Sequence, residues 1–142
     1  MKSLELYIPT PPSVNACYAT NFKTKRRFKS KEYSFWTKKA IEALWKQKRI
    51  YFTEKRKYIL IIEIGQPNDN RRRDAFNYEK AATDFIVQQD IIVDDCFINL
   101  GVIRWTKSIE GGLTKLTIYE MEEGETSDDY DISIQRKPNK TT

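Results

Sequence analysis

YILIIEIGQPNDNRRRDAFNYEKAATDFIVQQD, residues 58–90, changes its hydrophobic period midway, and that change decides the fold. Residues 58–65 are an apolar run closed by Gly65 and, two positions on, Pro67, the pattern of a buried strand. Residues 66–74 are loop by composition. Tyr78, Ala81, Ala82 and Phe85 then recur at helical spacing, with Asn77 as a good N-cap. Upstream, LELYI (4–8) alternates like a short strand and is stopped by the prolines of PTPPS (9–13). Residues 14–32 read as a loop. Ser30 is placed to cap a helix running to about Lys48, with Tyr33, Trp36, Ala40, Ile41 and Leu44 on one face. Downstream, residues 97–107 and 113–121 flank Gly111-Gly112 and read as a β-hairpin. The expected architecture is α+β: one domain over 1–121, a mixed sheet with helices on one face, and a terminal hairpin. From about Glu122 to Thr142 the chain is polar and reads as a disordered tail.

A chain of 142 residues suits one domain, and 39% hydrophobic residues with 13% aromatics suit a packed core. No apolar run approaches the ~20 residues of a membrane span, and MKSLELYIPTPPS lacks the apolar core of a signal peptide, so a cytoplasmic protein is expected. Cys17 and Cys96 suit reduced thiols and suggest no metal cluster. There is no histidine, which excludes Ser-His-Asp triads and histidine zinc sites. Residues 121–142 hold six acids against three bases, so of the chain's formal +5, a +8 sits on residues 1–120. A basic body with an acidic tail favours a polyanionic partner, nucleic acid first among them.

The acids suggest a chemistry. Asp74 opens the second helix, and Asp94-Asp95 follow it, so a strand–loop–helix unit can bring both ends together. Carboxylates converging without histidine or cysteine suit a hard cation such as Mg²⁺ or Mn²⁺. The same residues also suit ordinary structure: Asp74 at a helix start and Asp94-Asp95 in a turn. Arg71, Arg72 and Arg73 flank Asp74, and Lys80 lies one turn into the helix, four residues before Asp84. Cations beside carboxylates would let a phosphodiester approach a metal site; alone, they are a solvated loop and a surface ion pair. Lys23, Lys25, Arg26, Arg27, Lys29 and Lys31 alternate with Tyr18, Phe22 and Phe28, a mixture suited to phosphates and base faces.

Together, IPTPPSVN (8–15), RRRDAFNYEKAATD (71–84), VDD (93–95) and GGLTKLTIYEM (111–121) resemble the RusA family of Holliday-junction resolvases of bacteria and their prophages. The resemblance runs from Tyr7 to Met121. It implies a homodimeric, Mg²⁺-dependent endonuclease that nicks four-way DNA junctions in recombination and repair. By the family's Arg-Asp-x-Asp-Asn-x-x-Lys pattern and the later Asp-Asp pair, Asp74, Lys80 and Asp95 match catalytic positions, with Asp94 beside them as a metal ligand. Asn77 matches the family asparagine. Lys25, Arg26, Arg27, Arg71, Arg72, Arg73, Asn77 and Arg104 are the expected DNA contacts. Phe76 departs from the pattern, standing where the family has its second catalytic aspartate, and phenylalanine offers no oxygen. Phe76 has three readings: another acid (Asp94, Glu79 or Glu63) completes the set, the chain is a junction-binding protein that has lost its metal site, or the ring contacts an unstacked base near the junction.

Overall fold

The structure, a computed structural model, describes residues 2–48, 50–52 and 54–130. In chain order the elements are β1 (Ser3–Pro9), α1 (Val14–Cys17), β2 (Tyr18–Thr20), β3 (Arg27–Lys29), α2 (Lys31–Trp45), β4 (Tyr58–Gly65), α3 (Glu79–Gln88), β5 (Ile98–Thr106) and β6 (Leu113–Glu120). Short 3₁₀ turns cover Ala75–Tyr78, Asp95–Phe97 and Ser127–Asp129. The fold is α+β, as the sequence predicts.

Four strands form one mixed sheet in the order β1-β6-β4-β5, with β4 parallel to β5 and antiparallel to β6. Its side chains meet in cross-strand rows. Leu6, Leu116, Ile62 and Ile103 are one row; Ile8, Thr114, Ile64 and Trp105 are the next. These point to the face covered by the helices, where Tyr33, Trp36, Ala40 and Leu44 of α2 and Ala81, Ala82, Phe85 and Ile86 of α3 join the core. The pleat sends alternate residues the other way. On that side Glu5 pairs with Lys115 at 3.5 Å, and Arg104 binds Glu63. Burying each large aliphatic side chain is worth about 1.5–3 kcal/mol, so the rows hold the sheet to its helices.

The terminal hairpin is not formed. β4 lies between β5 and β6, so the segment after β5 must pass the end of β4 to reach β6. Gly65 makes that passage possible: a Cβ there would lie 2.0 Å from the carbonyl oxygen of Glu110. Gly112, at φ 91°, completes the turn, and its carbonyl accepts the Thr10 N–H at 2.8 Å. Two glycines between strands mark a tight turn, but they do not specify which strand is the partner.

Residues 14–32 are also not a plain loop. They form α1 and a two-stranded hairpin, β2–β3. Ser30 caps α2 by accepting the Tyr33 N–H at 3.1 Å, and its hydroxyl donates to the Ala16 carbonyl at 2.6 Å. Helix α2 stops at Trp45, three residues short of the expected end. Of the expected disordered tail, residues 122–130 make turns, with Thr126 and Asp129 capping each other's backbone. The remainder, 131–142, lies outside the described residues.

Candidate nucleic-acid interface and acidic groove

The chain enters the site at Asp74. Its carboxylate accepts the Phe76 N–H at 3.0 Å, which winds residues 75–78 into a 3₁₀ turn before α3 begins at Glu79. Asp74 therefore does the capping expected of Asn77, which lies inside the turn with its N–H on the Asp74 carbonyl at 3.1 Å. The reason is order along the chain: an acid three residues earlier takes the first free N–H groups. Tyr78 anchors the turn by standing edge-on to Trp105 of β5, ring centroids 5.5 Å apart. Trp105 is thus partly buried packing.

Phe76 is left 75% exposed. It forms part of the wall of a groove of about 350 Å³ between α3 and the β5 edge, together with Glu79, Thr83 and Asp95, over a floor that includes Ile62 and Ile103. Gly101 widens the groove, since a Cβ there would meet nothing within 4 Å. Glu79 is held in place by the Thr83 hydroxyl, which donates to its Oε1 at 2.8 Å. Thr83 has no place in the sequence-based site; the i, i+4 spacing from Glu79 is the signal that finds it.

Of the three acids that could stand in for the one missing at position 76, Glu79 shares a groove with Asp95 and Phe76. Asp94 adjoins Asp95 in sequence, and its carboxylate accepts the Cys96 N–H at 3.1 Å. Glu63 sits on the opposite face of the sheet, bound by Arg104, whose Nε donates to it at 3.0 Å. Alternation along β4 puts Glu63 away from the groove that Ile62 floors. Arg104 is correspondingly an ion-pair partner on that far face.

Charge crowds around Asp95. A hydrogen bond shared with Asp94, then burial, then the charges of Asp94 and Asp84 raise the proton affinity of its carboxyl, and Lys80 opposes them. Asp94 moves the other way, chiefly because the Cys96 N–H favours its ionised form. The two carboxyls titrate as a pair. Lys80 meets Asp84 across one helical turn at 3.4 Å, an exposed i, i+4 pair of small intrinsic worth. This brings Lys80, Asp84 and the Asp94-Asp95 pair into one electrostatic neighbourhood, with Asp84 a member that spacing alone had tied only to Lys80.

For a divalent cation, the donor chemistry fits: oxygen ligands, and crowded like charge at Asp95 that a cation relieves. A closed three-carboxylate cage does not fit, because among the described residues no three acids or cysteines are spaced to hold a metal. Mg²⁺ commonly binds one or two carboxylates and completes its shell with water and substrate phosphate. Asp74, turned to its own backbone, is not among the residues lining the groove.

The cations divide into engaged and exposed. Arg73 makes a two-pronged bond to Asp69, at 2.6 and 2.8 Å, and this guanidinium holds the Asp69 carboxyl down at about 2. Arg71 and Arg72 are exposed beside it. Arg71 and Arg73 line a recess of about 460 Å³ with the proline stretch, Phe35 and Lys39, so the arginine loop and residues 9–13 form one surface. On the hairpin, Lys25 and Arg26 are exposed at the turn, and the Arg27 guanidinium lies 4.2 Å from the centre of the Tyr18 ring. Compared with known proteins, the chain matches no protein-family model and no curated protein. Among the described residues, no helix is long and apolar enough to cross a membrane.

Proposed function

We propose that this chain is a structure-selective endonuclease of the RusA type, working in the cytoplasm as a homodimer on four-way DNA junctions with Mg²⁺ or Mn²⁺. The observation that carries the reading is the groove in which Asp95 and Glu79 face a common space, with the charge of Lys80 acting on Asp95 and the arginine run 71–73 leading in the chain to Phe76 at its wall. Asp95 and Glu79 would hold the cation, with water and substrate phosphate completing its shell. Bound there, the cation supplies positive charge against the oxygens of the scissile phosphate. The chain's own residues do the rest. Thr83 fixes the Glu79 carboxylate, Asp84 restrains Lys80, and the Lys80 ammonium offsets charge building on the phosphate. Arg71 and Arg72, with Lys25 and Arg26, hold the strand through its backbone. Two copies would present two such grooves to the two-fold symmetry of a junction.

One observation favours a second reading, a junction-binding protein without cleavage. Phe76 places an exposed ring, and no oxygen, at the mouth of the groove. A cleavage assay on a labelled four-way junction decides between them. With Mg²⁺ or Mn²⁺, the wild-type chain is expected to make paired nicks, and Asp95→Asn or Glu79→Gln to slow them at least about a hundredfold. Phe76→Asp adds a carboxylate and should raise the rate. If neither wild type nor Phe76→Asp nicks a junction that both bind, the second reading replaces the first.

A further inference from the structure

The β2–β3 hairpin presents a ring that its own packing does not use. Of the three aromatics interleaved with bases in this stretch, Tyr18 is engaged, edge-on to Tyr33 at 5.7 Å and under the Arg27 guanidinium. Phe28 pairs with Ala19 on the hairpin's other face and is 51% exposed. Phe22 stands at the tip and is 95% exposed.

The tip is built. The Asn21 N–H donates to the Arg26 carbonyl at 2.9 Å, the Lys25 N–H to the Asn21 carbonyl at 2.7 Å, and the Lys23 N–H to Asn21 Oδ1 at 2.9 Å. Lys25 takes φ 56°, a conformation that costs a lysine free energy and persists only where surrounding bonds hold it. At the base, Ser30 fastens the hairpin to α1 through the Ala16 and Cys17 carbonyls. A fastened turn with a strained residue holds Phe22 in water among Lys23, Lys25 and Arg26, all exposed. A phenylalanine so placed gains nothing from the core. Its flat apolar face, carried on a turn whose other residues include Lys23, Lys25 and Arg26, suits a nucleobase whose phosphates lie on either side.

We propose that the β2–β3 hairpin is a wedge that stacks the Phe22 ring on an unpaired base at a DNA branch point, with Lys23, Lys25 and Arg26 on the flanking phosphates. The inference rests on the DNA-binding part of the function above and is independent of cleavage. Linear duplex offers no open base face, so the wedge discriminates branched from unbranched DNA.

The test uses the full chain in EDTA, with a four-way junction carrying 2-aminopurine at the branch point and a linear duplex of matched sequence. Wild type should bind the junction more tightly than the duplex and change the 2-aminopurine emission. Phe22→Ala should weaken junction binding roughly 5- to 100-fold, leave duplex binding within about twofold and abolish the emission change. Phe22→Trp should retain all three properties. Equal junction binding by wild type and Phe22→Ala, or equal losses on junction and duplex, would overturn the wedge while leaving DNA binding intact. Should wild type bind neither DNA at low salt, the DNA reading itself fails and the wedge with it.

Discussion

Arg73 shows how one side chain's partner sets its function. Its fork onto Asp69 is a charge-assisted, two-pronged bond within the loop, and it takes the last positive charge of the arginine run away from an incoming phosphate. Asp69→Asn should free that guanidinium. Junction binding is then expected to tighten, and the slope of log K against log salt to steepen by about 0.9 if Arg73 reaches one duplex phosphate. An unchanged slope would leave Arg73 a loop brace. The pH sign follows from the same bond. The Asp69 carboxyl is lowered from 3.8 to about 2, so the fork is fully formed above about pH 4 and is lost as pH falls through about 2. Carboxyl NMR titration should place its midpoint there in the wild type. At this scale the sequence is unevenly legible. The acids were all visible, but which of them share a groove depends on pleat direction and on small bonds such as Thr83 to Glu79. Asp69 sits four residues before Arg73 in a loop, where no helical spacing rule announces a pair.

Elements were legible where their signal is local. The apolar run of β4 and the one-sided faces of α2 and α3 depend on residues within a few positions of each other, and these stand as expected. The β2–β3 hairpin escapes because its strands are only three residues long, too short for any alternation to register. Its attachment to the body is nonetheless testable through Ser30. That hydroxyl accepts the Tyr33 N–H and donates to the Ala16 carbonyl, so it caps α2 and fastens the hairpin together. Ser30→Ala should cost about 1–2 kcal/mol, measured by urea unfolding. Ser30→Thr keeps both bonding functions and should recover most of it. A loss near zero in the alanine variant would mean that water replaces both bonds.

For the whole molecule, the expected α+β class and the mixed sheet hold, while the pairing of β6 with β1 and β4, and not with β5, does not follow from sequence order. Pairing between β1 and β6 joins residues more than a hundred positions apart, and no local pattern encodes it. The crossing at Gly65 is the tightest consequence of this order. Gly65→Ala would drive a methyl group into the Glu110 carbonyl, and the fixed position of β4 leaves little room to yield. The expected loss is about 1–3 kcal/mol or more, seen as a drop of several degrees in Tm. A variant as stable as wild type would show that the 107–112 segment moves aside freely.

The pairing of β1 with β6 also sets a timetable during synthesis. Ser3 finds its partner at Tyr119, so β1 is made long before the strand it joins. At ~5–20 residues per second, a ribosome needs roughly 5 to 25 seconds to make the intervening chain. Through that interval Leu4, Leu6 and Ile8 belong to a strand whose sheet neighbour does not yet exist. The alternating Glu5 and Tyr7 and the prolines that follow keep this waiting segment short and half polar, which limits its pairing with other nascent chains.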